Sequence, residues 1–373
     1  MRMAPYRPRI HLLETGLDDV LQAELDSLGI YRPLVVTDAP WGTSAYLAEA
    51  LDVLFAERVE TGAAMHLCEG GCTLRQARAA ARRLFAEGRD GVVAIGGRAA
   101  IDLGKYAARE FCRVRPEMRQ RTRDFRPMPL IVIPGSPEDG AGLRASVRVR
   151  DGDGRYLSLQ DEAFVPAAVI CDMHLHATLD DRAALCADLD VAMHCIETLT
   201  RSRISPPARG MAIDGLRRAW RMLGRRAAGA VAPRAAEEVF SAAVNSALAE
   251  DGGLGAVHAL GLAIEEELNG PEPHGYYHAA VFGPVMTFNA PAIARAIPDI
   301  EEAMEVSGGV AGIAAAMTRI AERLELPVTL DSIGLDRAAR ARIASTVSTD
   351  AANVTNPRHV SKADYRSLLS GSI

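Results

Sequence analysis

Asp188–Ser202, DLDVAMHCIETLTRS, is the stretch on which the reading of this chain turns. Asp190 and His194 stand four residues apart in a run of helical periodicity, so both side chains leave the same face of one helix, a turn apart. A carboxylate and an imidazole held in this way can share one divalent ion. Two later histidines extend the set, His258 in GAVHALG and His274 in PEPHGYYH. One aspartate and three histidines form a mixed oxygen and nitrogen donor set. It suits Fe²⁺ or Zn²⁺ with a position left open for substrate. Alone, the Asp190/His194 pair reads as an ordinary helix-surface pair; the order and setting of all four residues favour the metal.

Outward from this stretch, the apolar period is helical from about residue 179 onward and strand-like runs disappear. Residues 180–202 read as one long helix, and SPPARGMAIDGLRRAWRMLGRRAAGA opens with prolines near a helix N-terminus. Gly252, Gly253 and Gly255 precede His258, where small residues let two helices, or a helix and a ligand, approach closely. A lone histidine in such a helix is more often a packed core residue. The three other candidate ligands, in order, tip the reading toward coordination. His278 lies four residues past His274. A proton relay, a further polar group beside the metal and a solvent-facing residue all stand open for it.

The first half has a different period. RPLVVTDAP (32–40) is a short β-branched run ending in turn residues, which reads as a buried parallel strand with Asp38 at its end. In a nucleotide-binding α/β domain an acid there accepts hydrogen bonds from the adenosine ribose and repels the 2′-phosphate of NADP. The ordinary alternative is a turn or N-cap aspartate. SAYLAEALDVLFAE (44–57) and TLRQARAAARRLFAEGRD read as amphipathic helices, the second closed by Gly88. GVVAIGG (91–97) is the next strand, and a helix opens straight after Gly96 and Gly97. Strand, glycine turn and helix N-terminus together can cradle a pyrophosphate on free backbone N–H groups. MPLIVIP is a third buried strand, residues 143–159 turn at DGDG as a β-hairpin, and FVPAAVICDMHL adds a last strand before a boundary near 172–178. Residues 114–127 carry five arginines, a solvated basic loop or, more sharply, a docking patch for an acidic partner or substrate.

Composition bounds the rest. The 373 residues are enough for two domains with sizeable cores, and 49% hydrophobic residues exclude a largely disordered chain. No apolar run reaches the ~18 residues of a membrane span, and the N-terminus lacks the apolar stretch of a signal peptide. The six cysteines show no CxxC spacing and read as reduced thiols in a cytoplasm. A net charge of −6 argues against a nucleic-acid partner.

These segments resemble the iron-containing (group III) alcohol dehydrogenases. DLDVAMHCIETLTRS is similar to their Asp-x-x-x-His-x-x-Glu helix, and GLGAVHALGLAI, PEPHGYYHAAVFGPVMTFN and NPRHVSKADYRSLL to their later signatures, from about residue 10 to the end. The family's Gly-Gly-Gly-Ser-x-x-Asp-x-x-Lys is matched by Gly96, Gly97, Asp102 and Lys105, while Arg98 and Ala99 replace Gly and Ser. Arg98 either clashes with a dinucleotide or pairs with its phosphate. In the next loop Ser136 and Gly140 are the clear echoes of the family pattern, and Arg155 falls where a lysine often faces the nucleotide. Leu262 stands where the family commonly has a second histidine, four residues after the first. The segment before Pro-His-Gly is about two residues longer than in the family.

The resemblance implies an α/β plus all-α fold of dehydroquinate-synthase-like plan. A Rossmann-like dinucleotide-binding domain would span 1–176 and an all-helical metal-binding domain 177–373, with the metal between them. It implies NAD(H) rather than NADP as cofactor, with Asp38, Gly96, Gly97, Arg98, Asp102, Lys105, Ser136, Gly140 and Arg155 lining its site. It implies Fe²⁺ or Zn²⁺ on Asp190, His194, His258 and His274, with His274 also in a catalytic position; His278 is a candidate catalytic residue from its place four residues past His274. The expected reaction is hydride transfer between the nicotinamide and a hydroxy or carbonyl carbon, in a homodimer built through the α/β domains. Leu262, the longer loop and the arginines point to a polar, acidic, phosphorylated or peptide-linked substrate, as in a biosynthetic tailoring step. A metal-dependent lyase or cyclase and a metal-binding scaffold without cofactor are the alternatives.

Overall fold

The computed structural model describes residues 8–38, 45, 64–68, 71–114, 128–177, 179–230, 235–249, 253–269, 272–347 and 355–371. The arginine-rich stretch 115–127 and, Ala45 apart, the helix expected over 44–57 lie outside them. The chain divides into two compact units, Met1–Leu179 and Asp180–Ile373.

In the first unit the described strands are β1 (Arg9–Leu13), β2 (Pro33–Asp38), β3 (Ala64–Cys68), β4 (Gly91–Gly96), β5 (Leu130–Pro134), β6 (Ser146–Arg150), β7 (Tyr156–Gln160) and β8 (Ala168–Asp172). Six form one sheet in the order β1-β8-β5-β4-β2-β3, every pair parallel. The near-continuous apolar runs of β2, β4, β5 and β8 follow from this placement, because a parallel strand inside a sheet needs cover on both faces. Helix α1 (Leu17–Leu28) lays Leu21 and Leu25 against Val35, Val93, Ile95, Ile131, Ile133 and Ile170. Each such buried side chain contributes roughly 1.5–3 kcal/mol. Helix α2 (Leu74–Ala86) starts on a reciprocal Thr73/Gln76 capping box, and α3 (Arg98–Val114) follows β4 directly.

β1 and β3 escape a reading by periodicity. Both are edge strands, and each carries a histidine, His11 or His66, inside a five-residue run. In β1 the polar residues are held from α1: Glu24 accepts from Arg9 Nε at 2.9 Å and lies 2.8 Å from His11 Nε2. The expected hairpin is present as antiparallel β6/β7, its turn held by Asp151 accepting the N–H groups of Asp153 and Arg155.

The second unit is helical throughout its described residues. It contains α4 (Asp181–Thr200), α5 (Pro206–Ala227), α6 (Ala235–Ala249), α7 (Ala256–Leu268), a 3₁₀ turn (His274–Tyr277), α8 (His278–Ile293), α9 (Ile297–Met304), α10 (Gly309–Arg323), α11 (Arg337–Val347) and α12 (Lys362–Ser370). Every residue of α4 from Ala184 to Thr200 is buried, so this is a central helix without a solvent face. α5 and α6 pack against it, and α7, α8 and the 3₁₀ turn also touch it. A helix in that position can carry charge only where each charge meets a partner. Asp188 meets Arg226 of α5, and Asp190 and Glu197 meet histidines and backbone N–H groups. The run 234–268, continuous in its helical pattern, breaks into α6 and α7 around Gly253, whose φ is +130°.

Candidate metal centre

Asp190, on the central helix, is fully buried and surrounded by imidazoles. Its Oδ2 lies 3.2 Å from His194 Nε2, one turn along α4. Its Oδ1 faces His258 Nε2 of α7 at 3.1 Å, His274 Nε2 of the 3₁₀ turn at 3.0 Å and His278 Nδ1, the first residue of α8, at 3.8 Å. The donor atoms of Asp190, His258, His274 and His278 all lie within 4.8 Å of one another. Of the four proposed ligands, Asp190, His258 and His274 fall in this group together with His278, His194 stands beside the other Asp190 oxygen, and none of the four is more than 2% exposed. The surface-pair reading of Asp190 and His194 does not hold, and His258 is buried with both ring nitrogens engaged. His278 does not face solvent either; it is wholly buried.

The approach of these elements depends on two glycines. A Cβ on Gly275 would sit 2.4 Å from the Cys186 carbonyl oxygen, so the Pro-His-Gly turn can rest on α4 only without a side chain there. A Cβ on Gly261 would meet the His278 ring at 2.6 Å.

The electrostatics follow from burial. Burial favours a neutral Asp190, but His194 and His274, with hydrogen bonds from His194 and His258, outweigh it and hold its carboxyl well below the usual range. Burial also opposes charge on His258, yet the Glu197 and Asp190 carboxylates push its pKa up to about 9. His278 goes the other way: burial, then the neighbouring His258, holds it well below the usual histidine range.

Glu197 has a larger part than its place in the motif suggests. Its carboxylate accepts the N–H groups of Gly255 and Val257, both at 2.7 Å, and lies 2.8 Å from His258 Nδ1. It thereby satisfies two of the unpaired donors at the start of α7. It also fixes Nδ1 as the protonated nitrogen of His258, leaving Nε2 to face Asp190. Asn356 Oδ1 accepts the Ala256 N–H at 3.1 Å, and its amide pairs with Asn289. Glu197 had a local signal, three residues past His194 and seven past Asp190 on one helix face. Asn356 opens the quoted segment NPRHVSKADYRSLL, but its partner Ala256 is 100 residues away, so its contact had no local signal.

The residues expected at the cofactor separate into two groups. Asp38, Gly96 and Pro134 end the adjacent strands β2, β4 and β5, so these carboxyl ends share one edge of the sheet, where dinucleotides bind in such folds. Gly96 leaves the strand at φ +127°, and the Gly97 N–H donates to Asp38 Oδ2 at 3.0 Å. Asp38 Oδ1 is buried with no hydrogen-bond partner among the described residues, as suits an acceptor for a ribose hydroxyl. Burial pushes the Asp38 carboxyl up to about 6 against the Gly97 N–H.

Asp102 and Lys105 turn to backbone instead. Asp102 accepts the Arg148 N–H at 3.0 Å and Lys105 donates to the Arg144 carbonyl at 2.8 Å, fastening α3 to β6. Arg98 Nε stands 3.6 Å from Asp102 Oδ2, so its guanidinium is drawn along its own helix. Ser136 Oγ accepts the Glu138 N–H at 3.2 Å at the start of the short helix Glu138–Ala141, in which Gly140 adopts φ +67°, and Arg155 is exposed at the hairpin turn.

Residues 8–173 match the iron-containing alcohol dehydrogenase family, and residues 185–373 match the C-terminal domain of the Fe-containing alcohol dehydrogenase family. The chain is 30% identical to a 4-hydroxybutyrate dehydrogenase of Cupriavidus necator over 99% of both chains. It is 26% identical to a maleylacetate reductase of Burkholderia cepacia over 88% of this chain and 86% of that one. A solved 1,3-propanediol oxidoreductase superposes with a TM-score of 0.84 at 18% identity, covering 100% of both chains.

Proposed function

This chain belongs to the iron-containing alcohol dehydrogenase family and is a metal-dependent, NAD(H)-linked oxidoreductase of alcohols and carbonyl compounds; we propose that its substrate carries a carboxylate and that Asp190, His194, His258 and His274 hold the metal. The observation that supports an acidic substrate is the full-length relative, a dehydrogenase of 4-hydroxybutyrate. The reductase of maleylacetate points the same way.

The residues fit the group they would hold. A buried carboxylate among neutral or hydrogen-bonded imidazoles is the donor chemistry of Fe²⁺ or Zn²⁺, and His278 keeps both ring nitrogens without a hydrogen bond. When bound, the dication supplies Lewis-acid polarisation of the reacting C–O group and the nicotinamide supplies the hydride acceptor or donor. The protein's own part is positional. Glu197 orients His258, Gly275 lets His274 approach Asp190, and full burial of the cluster keeps bulk water from competing for the ligands. Asp38, through its free Oδ1, accepts from the adenosine ribose, and its charge disfavours the 2′-phosphate of NADP. Leu262 offers no imidazole one turn past His258, so the proton must travel by another group or by water. The assembly is a homodimer, which sedimentation at micromolar concentration tests; a monomer contradicts it.

The substrate is tested by turnover of the metal-loaded protein with NAD⁺ or NADH. The panel is 4-hydroxybutyrate, 1-butanol, 1-propanol and the corresponding aldehydes, with phosphorylated and peptide-linked hydroxy compounds added. A site that pairs the carboxylate should favour the hydroxy acid over the unsubstituted alcohol by about 10²-fold or more in kcat/KM. Equal turnover of 1-butanol and 4-hydroxybutyrate refutes the acidic substrate and leaves the reaction class standing.

A further inference from the structure

We propose that His278 is itself a metal ligand, a fourth imidazole beside His194, His258 and His274. The inference rests on the metal site proposed above. It begins from an imbalance in a dry cluster. His258 engages both ring nitrogens, one with Glu197 and one with Asp190. His278 is equally buried, yet neither its Nδ1 nor its Nε2 makes a hydrogen bond. A buried polar group without a partner costs about 1–3 kcal/mol, and such groups in native proteins generally have a reason.

The geometry names the missing partner. Donors around one ion at about 2.0–2.2 Å are separated by no more than about twice that length. The donor atoms of Asp190, His258, His274 and His278 fall within 4.8 Å of one another, a few tenths of an ångström above that limit, which small side-chain rotations close. His278 and His274 are four residues apart across the junction of the 3₁₀ turn and α8, and their rings lie 5.3 Å apart. The His278 ring also stands edge-on to His258 at 4.4 Å. Its orientation is fixed from behind: the Nε2 edge lies over Gly261, where a Cβ would come within 2.8 Å of Nε2, and Nδ1 faces Asp190 Oδ1 at 3.8 Å. His194 serves the other carboxylate oxygen. With His194 as a further donor from the other carboxylate oxygen, the set would exceed the four donors of a tetrahedral zinc site, which suits Fe²⁺ better than Zn²⁺.

X-ray absorption at the metal edge of the Fe²⁺- or Co²⁺-loaded full-length protein counts the imidazoles. Chelator competition gives the affinity. The expected result is that His278→Asn lowers the imidazole count by one and weakens Co²⁺ binding at least tenfold. The visible Co²⁺ bands should also intensify as coordination number falls. An unchanged count with unchanged affinity overturns the proposal. If His278→Asn does not fold, the wild-type count decides, four supporting the proposal and three overturning it. Metal bound by three imidazoles removes only this inference; a protein that takes up no metal removes the proposed site as well.

Discussion

Glu197→Gln separates the two tasks of one carboxylate. In the native protein Glu197 accepts from Gly255, Val257 and His258 Nδ1 at 2.7, 2.7 and 2.8 Å, all in buried surroundings. Gln has one oxygen and one NH₂ on nearly the same frame. If the amide oxygen takes the Oε1 place at Val257, the NH₂ meets the Gly255 N–H, which loses its partner, and His258 Nδ1, which it drives to become the acceptor. The proton then moves to Nε2, the nitrogen that faces Asp190, and His258 loses its lone pair for a metal. If the oxygen turns to His258 instead, the NH₂ meets a backbone N–H, and one buried donor loses its partner at about 1–3 kcal/mol. Changing a group that orients a ligand typically costs 10–100-fold in metal affinity, about 1.4–2.8 kcal/mol at 1.4 kcal/mol per decade. Glu197→Ala removes all three bonds, and destabilisation of roughly 3–5 kcal/mol is expected, as for a broken buried charge network. The assays are chelator competition for Co²⁺ and urea unfolding, run on both variants. Wild-type metal affinity in a folded Glu197→Gln protein would show that this carboxylate does not set the His258 tautomer.

Three further outcomes follow from particular contacts. Asp38 is pushed up to about 6 by burial, and ribose hydroxyls donate to its ionised form, so NADH affinity should be full above neutral pH and fall as pH drops through 6. Asp38→Gly should flatten that profile and relax discrimination against NADPH; a pH-independent wild-type titration by NADH fluorescence counts against the role. Because the folded pKa lies above the unfolded value of 3.8, ionisation of Asp38 should lower stability as pH rises from 3.8 toward 6. Arg226→Ala should cost about 3–5 kcal/mol in chemical denaturation, since it strands the buried Asp188 carboxylate on α4; a loss below 1 kcal/mol would mean the pair is dispensable. Gly275→Ala forces a Cβ against the Cys186 carbonyl, and both a stability loss of about 1–3 kcal/mol and reduced metal stoichiometry are expected, the latter by elemental analysis.

The sequence by itself determined the α/β plus all-helical plan and placed Asp190 and His194 on one helix face. β-branched runs ending in turn residues can only be satisfied inside a covered parallel sheet, and β2, β4, β5 and β8 are where those runs lie. The four-residue spacing of Asp190 and His194 fixes a shared helix face whatever the rest of the chain does. The edge strands were not legible, because β1 and β3 interrupt their apolar runs with polar residues held by a side chain of the following helix or left at the sheet margin. The roles of His278, Glu197 and Asn356 were decided only by the tertiary structure. His278 four residues past His274 is compatible with either face of a helix start. Only the packing of α7 through Gly261 buries its ring and turns Nδ1 toward Asp190. Asn356 meets Ala256 across 100 residues of chain. Asp102 and Lys105 illustrate the converse: their spacing matches a nucleotide motif, yet their side chains bond to the backbone of the 144–148 segment. Periodicity records which face of an element is apolar, and that is a local property. Which polar groups meet in a dry interior depends on how separate elements are brought together, and no window of sequence contains it.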